Sequence, residues 1–187
     1  MTFELVNTEG IYQGRAFNVR RDQVRLPDGR LYRLDIIDHH PAVTIVPVDK
    51  QGDIWFIRQY RHAAGKVLLE LPAGVMETEE TPEYSALRET REEIGMSAGS
   101  MQKIGGFFLA PGYSTEYMHV FLASDLYANP LQQDEDEFLS VEKIPANQVM
   151  KLIETGEIQD AKSLAALFLA RPYLHQFNLP QPNPQPE

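Results

Sequence analysis

The most informative stretch of this sequence is residues 74–96, GVMETEETPEYSALRETREEIGM. Thr81 and Pro82 predict the start of a helix, because threonine caps helix N-termini and proline suits the first helical position. Gly95 predicts its end, since glycine readily adopts the left-handed conformation that follows many helices. We therefore expect a helix between residues 81 and 94.

Three acidic side chains of this helix share one face. Glu89, Glu92 and Glu93 are spaced i, i+3 and i+4, and the apolar residues of the helix lie roughly opposite. Carboxylate oxygens grouped in this way suit Mg²⁺ or Mn²⁺, and such an ion would attract phosphate oxygens. The alternative is a solvated helix face with ion pairs, for example between Arg88 and Glu92.

The positions around these carboxylates form the pattern G-x5-E-x7-R-E-T-R-E-E-I-G-M, which begins at Gly74. This pattern closely resembles the signature of the Nudix hydrolase family. The sequence departs from it at Thr90, where the family more often has an aliphatic residue; helix geometry places Thr90 off the carboxylate face. The resemblance implies an α/β fold, an α/β/α sandwich with a mixed sheet. It also implies that Glu80 and Arg88 shape the loop rather than carry out chemistry.

The resemblance further implies the metal chemistry. Nudix enzymes bind divalent ions on the loop–helix–loop formed by this pattern and cleave a nucleoside diphosphate linked to another group. By position, Glu89 and Glu93 would be direct metal ligands, and the backbone carbonyl of Ala73 would be another. Glu92 would bind a metal or its water and is a candidate catalytic residue. Mg²⁺ is the expected cofactor, with Mn²⁺ as a possible substitute.

Features outside the pattern point to a subgroup. The lead-in ELPAG at residues 70–74 and a proline at position 111, sixteen residues after Gly95, are similar to markers of ADP-ribose pyrophosphatases. In the look-alike enzymes an arginine at the position of Arg61 contacts substrate phosphate; the alternative is an ordinary surface arginine. By the same resemblance Glu116 would contact the substrate; the alternative is an ordinary carboxylate at the start of a strand. By resemblance, the further substrate-binding residues are Arg33, Val75, Pro111, Gly112 and Glu116.

An acidic segment at residues 134–137 precedes a predicted strand. In the family, a loop glutamate after these strands often acts as general base or as an additional metal ligand. We assign Glu135 as the base and Glu137 as the ligand by this resemblance. The alternative is a solvated run of charges.

Composition restricts the classes of partner. The chain has 187 residues with 17 Lys and Arg against 27 Asp and Glu, a net charge of −10. General binding to nucleic acids or anionic membranes requires basic surface, so we expect neither. The chain has no cysteine, which excludes disulfides, thiolate metal sites and cysteine nucleophiles. With no secretory signal and no apolar stretch long enough to span a bilayer, we expect a cytoplasmic protein.

Strands and helices alternate along the chain without strict βαβ regularity, which predicts a mixed sheet with helices on its faces. Residues 1–40 predict a small antiparallel β-sheet with a hairpin turn at 27–29. Such a sheet is marginal alone, so it must pack on the rest of the chain or on a second subunit. In the subgroup the corresponding segment helps to build a homodimer. Residues 41–172 would form the hydrolase domain. Residues 179–187 alternate proline with polar residues, and we expect residues 173–187 to form an extended, mobile tail.

These observations lead to an expected function. We expect a homodimeric, Mg²⁺-dependent pyrophosphatase that converts ADP-ribose, or a related nucleoside diphosphate sugar, to a nucleoside monophosphate and a sugar phosphate. One alternative is a hydrolase of another nucleotide sugar, such as GDP-mannose or ADP-glucose. Another is a regulator of the same fold that binds a nucleotide sugar without cleaving it.

Overall fold

A computed structural model describes residues 2–133 and 138–174 of the chain. Within these ranges the chain forms ten β-strands, three α-helices and a single 3₁₀ turn at His62–Ala64. The strands are β1 (Glu4–Gln13), β2 (Asn18–Arg25), β3 (Leu31–Asp38), β4 (Ala42–Pro47), β5 (Asp53–Arg61), β6 (Lys66–Glu70), β7 (Ala73–Val75), β8 (Met96–Phe108), β9 (Tyr117–Ala128) and β10 (Leu139–Pro145). The helices are α1 (Pro82–Glu93), α2 (Ala146–Glu154) and α3 (Ala161–Leu174).

The chain divides into two compact units. One unit consists of Met1–Ala42 and Gly106–Met118, and the other of Val43–Gly105 and His119–Glu187. The first unit therefore contains the N-terminal segment, which the sequence predicts to end near residue 40, and also part of the β8–β9 hairpin. The assignment of functional domains to these segments stays a prediction.

The first unit contains a three-stranded antiparallel sheet in the order β1-β2-β3. Arg25 lies opposite Leu31, and Gly29 adopts a φ of 87° in the turn between them. This positive φ suits glycine, because the residue has no Cβ to clash with the backbone. The predicted hairpin is therefore confirmed. Every residue of β1 is exposed.

The other strands form two sheets, with strand orders β10-β5-β6 and β7-β4-β9-β8, and most of their residues belong to the second unit. All six residues of β4 are buried, as its nearly continuous apolar sequence predicts. One core cluster joins this strand to α1 and β9 through Val43, Ile45, Ala86, Phe121 and Ala123. The residue on α1, Ala86, is fully buried, so the small side chain allows the helix to pack closely on the sheet.

The sequence of residues 68–74 predicts a short strand that ends in a turn, but the structure has two strands with a break between them. Residues 66–70 form β6, whereas residues 73–75 form β7 in the other sheet. Pro72 lies at the break; it has no N–H to donate, and its carbonyl accepts a hydrogen bond of 2.9 Å from Ile45 N. The break carries the chain from one sheet to the other and places Ala73–Val75 against α1.

For the remaining elements the sequence predicts strands at residues 103–108, 117–123 and 138–143 and helices at about residues 146–154 and 161–170. Most of these elements are longer in the structure. β8 begins at Met96, directly after the helix stop, rather than at Lys103, and α3 continues to Leu174. The bounds of α2 agree with those expected, residues 146–154. Among the described residues, no helix combines the length and the apolar character needed to cross a lipid bilayer.

Candidate active site

The helix α1 begins and ends where the sequence predicts. Thr81 is the N-cap, and its side-chain oxygen accepts a hydrogen bond of 3.3 Å from Tyr84 N. Gly95, just beyond the helix, has a φ of 70°. Thr90 is fully buried and donates a hydrogen bond of 2.6 Å to the carbonyl of Ala86, so the departure from the family pattern points away from the carboxylates.

Two of the three helix carboxylates are buried. Glu89 is 7% exposed and Glu93 is 1% exposed, whereas Glu92 is half-buried. Burying a carboxylate is costly unless hydrogen bonds or cations compensate. The alternative of a solvated helix face is therefore wrong for Glu89 and Glu93. Groups that neighbour these two carboxylates must compensate their charge.

The loop before the helix contacts both buried carboxylates. Ala73 N donates a hydrogen bond of 2.9 Å to Glu93 Oε2. Gly74 lies against Glu89: a Cβ at residue 74 would be 1.9 Å from Glu89 Oε1. Only glycine leaves room for the carboxylate in this position. This steric requirement explains why the first position of the sequence pattern is glycine.

Arg88 links the loop to the helix. Its Nη1 donates to Glu89 Oε1 at 2.7 Å and to Glu92 Oε2 at 2.8 Å. Its Nε and Nη2 donate to the two oxygens of Glu80 at 2.9 and 3.0 Å, and Nη2 also donates to the carbonyl of Val75 at 3.2 Å. These contacts are those expected of residues that shape the loop, and they include the predicted pair between Arg88 and Glu92.

The carboxylate of Glu80 is held in its ionised form. Hydrogen bonds from Arg88, together with those from Ser85 Oγ and Glu77 N, lower the pKa of Glu80 from 4.5 to about 2, although burial opposes the shift. Because the folded state lowers this pKa, the stabilisation is present above pH 4.5 and is lost as the pH falls toward 2.

This shift predicts how acid affects Glu80→Gln. At pH 7 we expect the variant to lose about 1–2 kcal/mol of unfolding free energy, less than the full pKa difference because solvent screens part of the interaction. The difference from the wild type should shrink between pH 4.5 and 2. Urea unfolding at pH 7, 4 and 2.5 measures this; a difference that stays constant over the series would contradict the assignment.

The donor set suits a hard divalent cation. Three carboxylates, from Glu80, Glu89 and Glu92, pair with one guanidinium, that of Arg88, and the buried Glu93 is a fourth carboxylate on the same loop and helix. Carboxylate and carbonyl oxygens are the ligands that Mg²⁺ and Mn²⁺ prefer. Among the described residues, no three acidic or imidazole side chains already stand in the geometry of a metal site. Glu89 and Glu92 each accept a hydrogen bond from Arg88 through one of their two carboxylate oxygens.

The structure places Arg61 beside the same loop. Its guanidinium donates from Nε and Nη2 to the two oxygens of Glu70, at 2.9 and 2.7 Å. Nearby Glu93 contributes to the raised pKa of Arg61, although the Glu70 hydrogen bonds are the main cause. The site residues that the sequence analysis missed are Glu70 and Lys162, which also contacts Glu70. A charged residue within the apolar run of residues 68–71 was the available signal for Glu70.

The other predicted residues are distributed as follows. Val75 ends β7 with its side chain exposed. In the first unit, Arg33 is an exposed residue of β3, and Pro111 and Gly112 form an exposed turn. Glu116 follows this turn and is half-buried; its N–H donates to Ser114 Oγ at 3.2 Å. Glu135 and Glu137 lie outside the described residues.

Known proteins are similar to this chain over most of its length. The NUDIX domain model matches residues 38–167. An ADP-ribose pyrophosphatase of Bacillus subtilis (strain 168) is 37% identical over 161 residues, covering 85% of this chain and 87% of the relative. An ADP-ribose pyrophosphatase of Mycobacterium tuberculosis (strain ATCC 25618 / H37Rv) is 34% identical over 183 residues, covering 96% and 88%.

A solved structure is similar as well. The crystal structure of an ADP compounds hydrolase matches with a TM-score of 0.85 and 26% identity, covering 95% of this chain and 97% of that one. The match confirms the expected α/β/α sandwich with a mixed sheet and an N-terminal antiparallel sheet. Nudix hydrolases in general use divalent metal ions. From the sequence pattern, the domain match and the similarity to these enzymes, the chain belongs to the Nudix hydrolase family.

Proposed function

We propose that this enzyme hydrolyses the diphosphate linkage of ADP-ribose, or of a closely related nucleoside diphosphate sugar, with Mg²⁺ as cofactor. The products would be AMP and ribose 5-phosphate from ADP-ribose. The observation that carries the proposal is the pair of buried carboxylates, Glu89 and Glu93, held against the Ala73–Gly74 backbone. The similarity to ADP-ribose pyrophosphatases supports the choice of substrate.

Specific residues of this chain would bind the metal and take part in catalysis. Glu89, Glu93 and the carbonyl of Ala73 would hold Mg²⁺, with Glu92 binding a metal or its water. When bound, divalent ions neutralise a diphosphate and lower the pKa of bound water. Among residues outside the described part, Glu135 would accept a proton from the attacking water and Glu137 would be a further metal ligand.

Arg61 is the residue proposed to bind a phosphate of the substrate. Arg61 presents a guanidinium whose planar group suits phosphate oxygens. The remaining residues proposed for substrate binding are Arg33, Val75, Pro111, Gly112 and Glu116.

We also propose that the enzyme is a cytoplasmic homodimer, assembled through residues 1–40. The exposed apolar side chains of β1 support this: Leu5, Val6, Ile11 and Tyr12 are each at least 43% exposed. A sheet of three strands with so much exposed apolar surface favours association. Light scattering coupled to gel filtration should give twice the mass of the 21.3 kDa chain. A monomer at micromolar concentration would contradict the proposal.

The activity is tested on a substrate panel. Purified enzyme with Mg²⁺ should release AMP from ADP-ribose faster than it cleaves GDP-mannose or ADP-glucose, and EDTA should abolish turnover. Mass detection of the products in ¹⁸O water identifies the phosphorus that is attacked. Faster cleavage of another nucleotide sugar would correct the substrate, and binding without cleavage would favour the regulator. Cleavage of no nucleoside diphosphate sugar would refute the hydrolase.

A further inference from the structure

A buried carboxylate that the metal chemistry does not use lies beside the active-site loop. Glu70, at the end of β6, is 1% exposed. Strand pairing places Glu70 opposite Ile57. Arg61 lies four positions beyond Ile57 on the same strand, so the side chains of Arg61 and Glu70 share one face of the sheet. The two hydrogen bonds from Arg61 to Glu70 form a bidentate pair, which fixes the plane of the guanidinium. Nη1 takes no part in that pair.

A second cation approaches the same carboxylate from α3. Lys162 Nζ donates to Glu70 Oε2, the oxygen that also accepts from Arg61 Nη2. Burial alone would raise the pKa of Glu70, but the hydrogen bonds and charges of Arg61 and Lys162 outweigh it and the pKa is lowered. Both cations therefore favour the charged form of the buried Glu70.

The first turn of α3 is itself fastened to this strand end. Asp160 Oδ2 accepts from Lys162 Nζ at 2.9 Å, from Ser163 N at 2.9 Å and from Ser163 Oγ at 2.6 Å. Ser163 Oγ in turn accepts from Leu71 N at 2.8 Å. The start of α3 thus contacts the side chain of Glu70 and the backbone of the next residue, two positions before Ala73.

We infer that Glu70 and Lys162 are positioning residues, which together hold the guanidinium of Arg61 in place for a phosphate of the substrate. The inference rests on the proposed function, in which Arg61 binds that phosphate. The net charge of this network supports the inference, because the two cations, Arg61 and Lys162, balance the two anions, Glu70 and Asp160. Without Lys162 the network would carry a net charge of −1, which would repel the diphosphate.

Lys162→Met tests the inference, because methionine has a similar length and no charge. We expect KM for ADP-ribose to rise about 10-fold with kcat within about 2-fold of the wild type, since binding is weakened and the reacting centre is untouched. The Mg²⁺ concentration for half-maximal activity should not change. Lys162→Arg should restore KM. Lys151→Met, on an exposed position of α2, is the matched control and should behave as the wild type.

A double variant separates charge from packing. In the double variant Glu70→Gln with Lys162→Met, the remaining charges of Arg61 and Asp160 balance. We therefore expect its KM to be lower than the value obtained by multiplying the fold-changes of the two single variants. Strictly additive effects, an unchanged KM in Lys162→Met, or a loss confined to kcat would each overturn the inference. Thermal unfolding checks that each variant is folded; if Lys162→Met does not fold, Glu70→Gln and Lys162→Arg supply the same comparison.

A spectroscopic measurement keeps the inference distinct from the proposed function. The Nε–H signal of Arg61, assigned with Arg61→Lys, should be protected from solvent exchange in the wild type and should shift and exchange faster in Lys162→Met. This holds whether or not ADP-ribose is the substrate. An unperturbed Arg61 signal would overturn the positioning role even in an active enzyme, whereas a perturbed signal without any turnover would count against the proposed function alone.

Discussion

Replacing Glu93 by glutamine should lower kcat for ADP-ribose hydrolysis by about 10³-fold or more, the scale on which losing one preorganised charge-stabilising group slows an enzyme. Glutamine has the same shape, and its side-chain oxygen can still accept the hydrogen bond from Ala73 N. The substitution therefore removes the negative charge needed to hold a cation while it leaves the packing of this buried side chain in place.

Stability should move little, or even increase, in Glu93→Gln. The variant removes one negative charge from a helix end that also carries Glu89 and Glu92, so like-charge repulsion falls. Steady-state kinetics and urea unfolding measure the two effects. Glu83→Gln, on an exposed position of the first turn of the same helix, is the control and should retain activity. Activity within about 10-fold of the wild type would show that Glu93 is not a metal ligand.

Gly74→Ala should give the second-largest loss, about 10²-fold in kcat, because catalysis depends on the placement of reacting groups. The added Cβ would lie 1.9 Å from Glu89 Oε1 and 2.1 Å from Glu89 Cδ, so one of the two residues must move. The carboxylate ends a flexible side chain and yields more easily than the backbone. We therefore expect a folded protein whose Glu89 is displaced from the cation site.

The mechanism of Gly74→Ala is checked by its dependence on metal. Its half-maximal Mg²⁺ concentration should rise together with the loss of kcat, because a proposed ligand has moved. Gly10→Ala is the control: a Cβ at this exposed position of β1 meets nothing within 4 Å. Unchanged kinetics in Gly74→Ala would contradict the steric account, and so would a protein that fails to fold.

Local signals in the sequence were sufficient for α1 and its carboxylates. Thr81, Pro82 and Gly95 fix the ends of the helix through rules that act within a few residues. The i, i+3, i+4 spacing of the glutamates follows from helix geometry alone. These rules did not reveal that Glu89 and Glu93 are buried, since burial depends on the loop that packs against the helix.

Contacts between distant residues were beyond the sequence analysis. Lys162 and Glu70 are 92 residues apart, and neither the apolar strand nor the start of α3 shows that they meet. Likewise, Arg91 within the sequence pattern donates a hydrogen bond of 3.0 Å to the carbonyl of Asn129. Such pairs are set by the order of strands in a sheet, which periodicity does not encode. The same limit explains why a turn expected after an apolar strand at residues 68–74 does not reveal that residues 73–75 join the other sheet.

The central claim is that the carboxylates of α1 hold cations which bind the diphosphate of the substrate. A crystal structure with Mg²⁺ and a non-hydrolysable ADP-ribose analogue tests it most directly. We predict Mg²⁺ bound by Glu89, Glu93 and the carbonyl of Ala73, in contact with the diphosphate of the analogue. The claim would be contradicted by a bound analogue with no ion on these groups and with Arg88 still paired to Glu89 and Glu92.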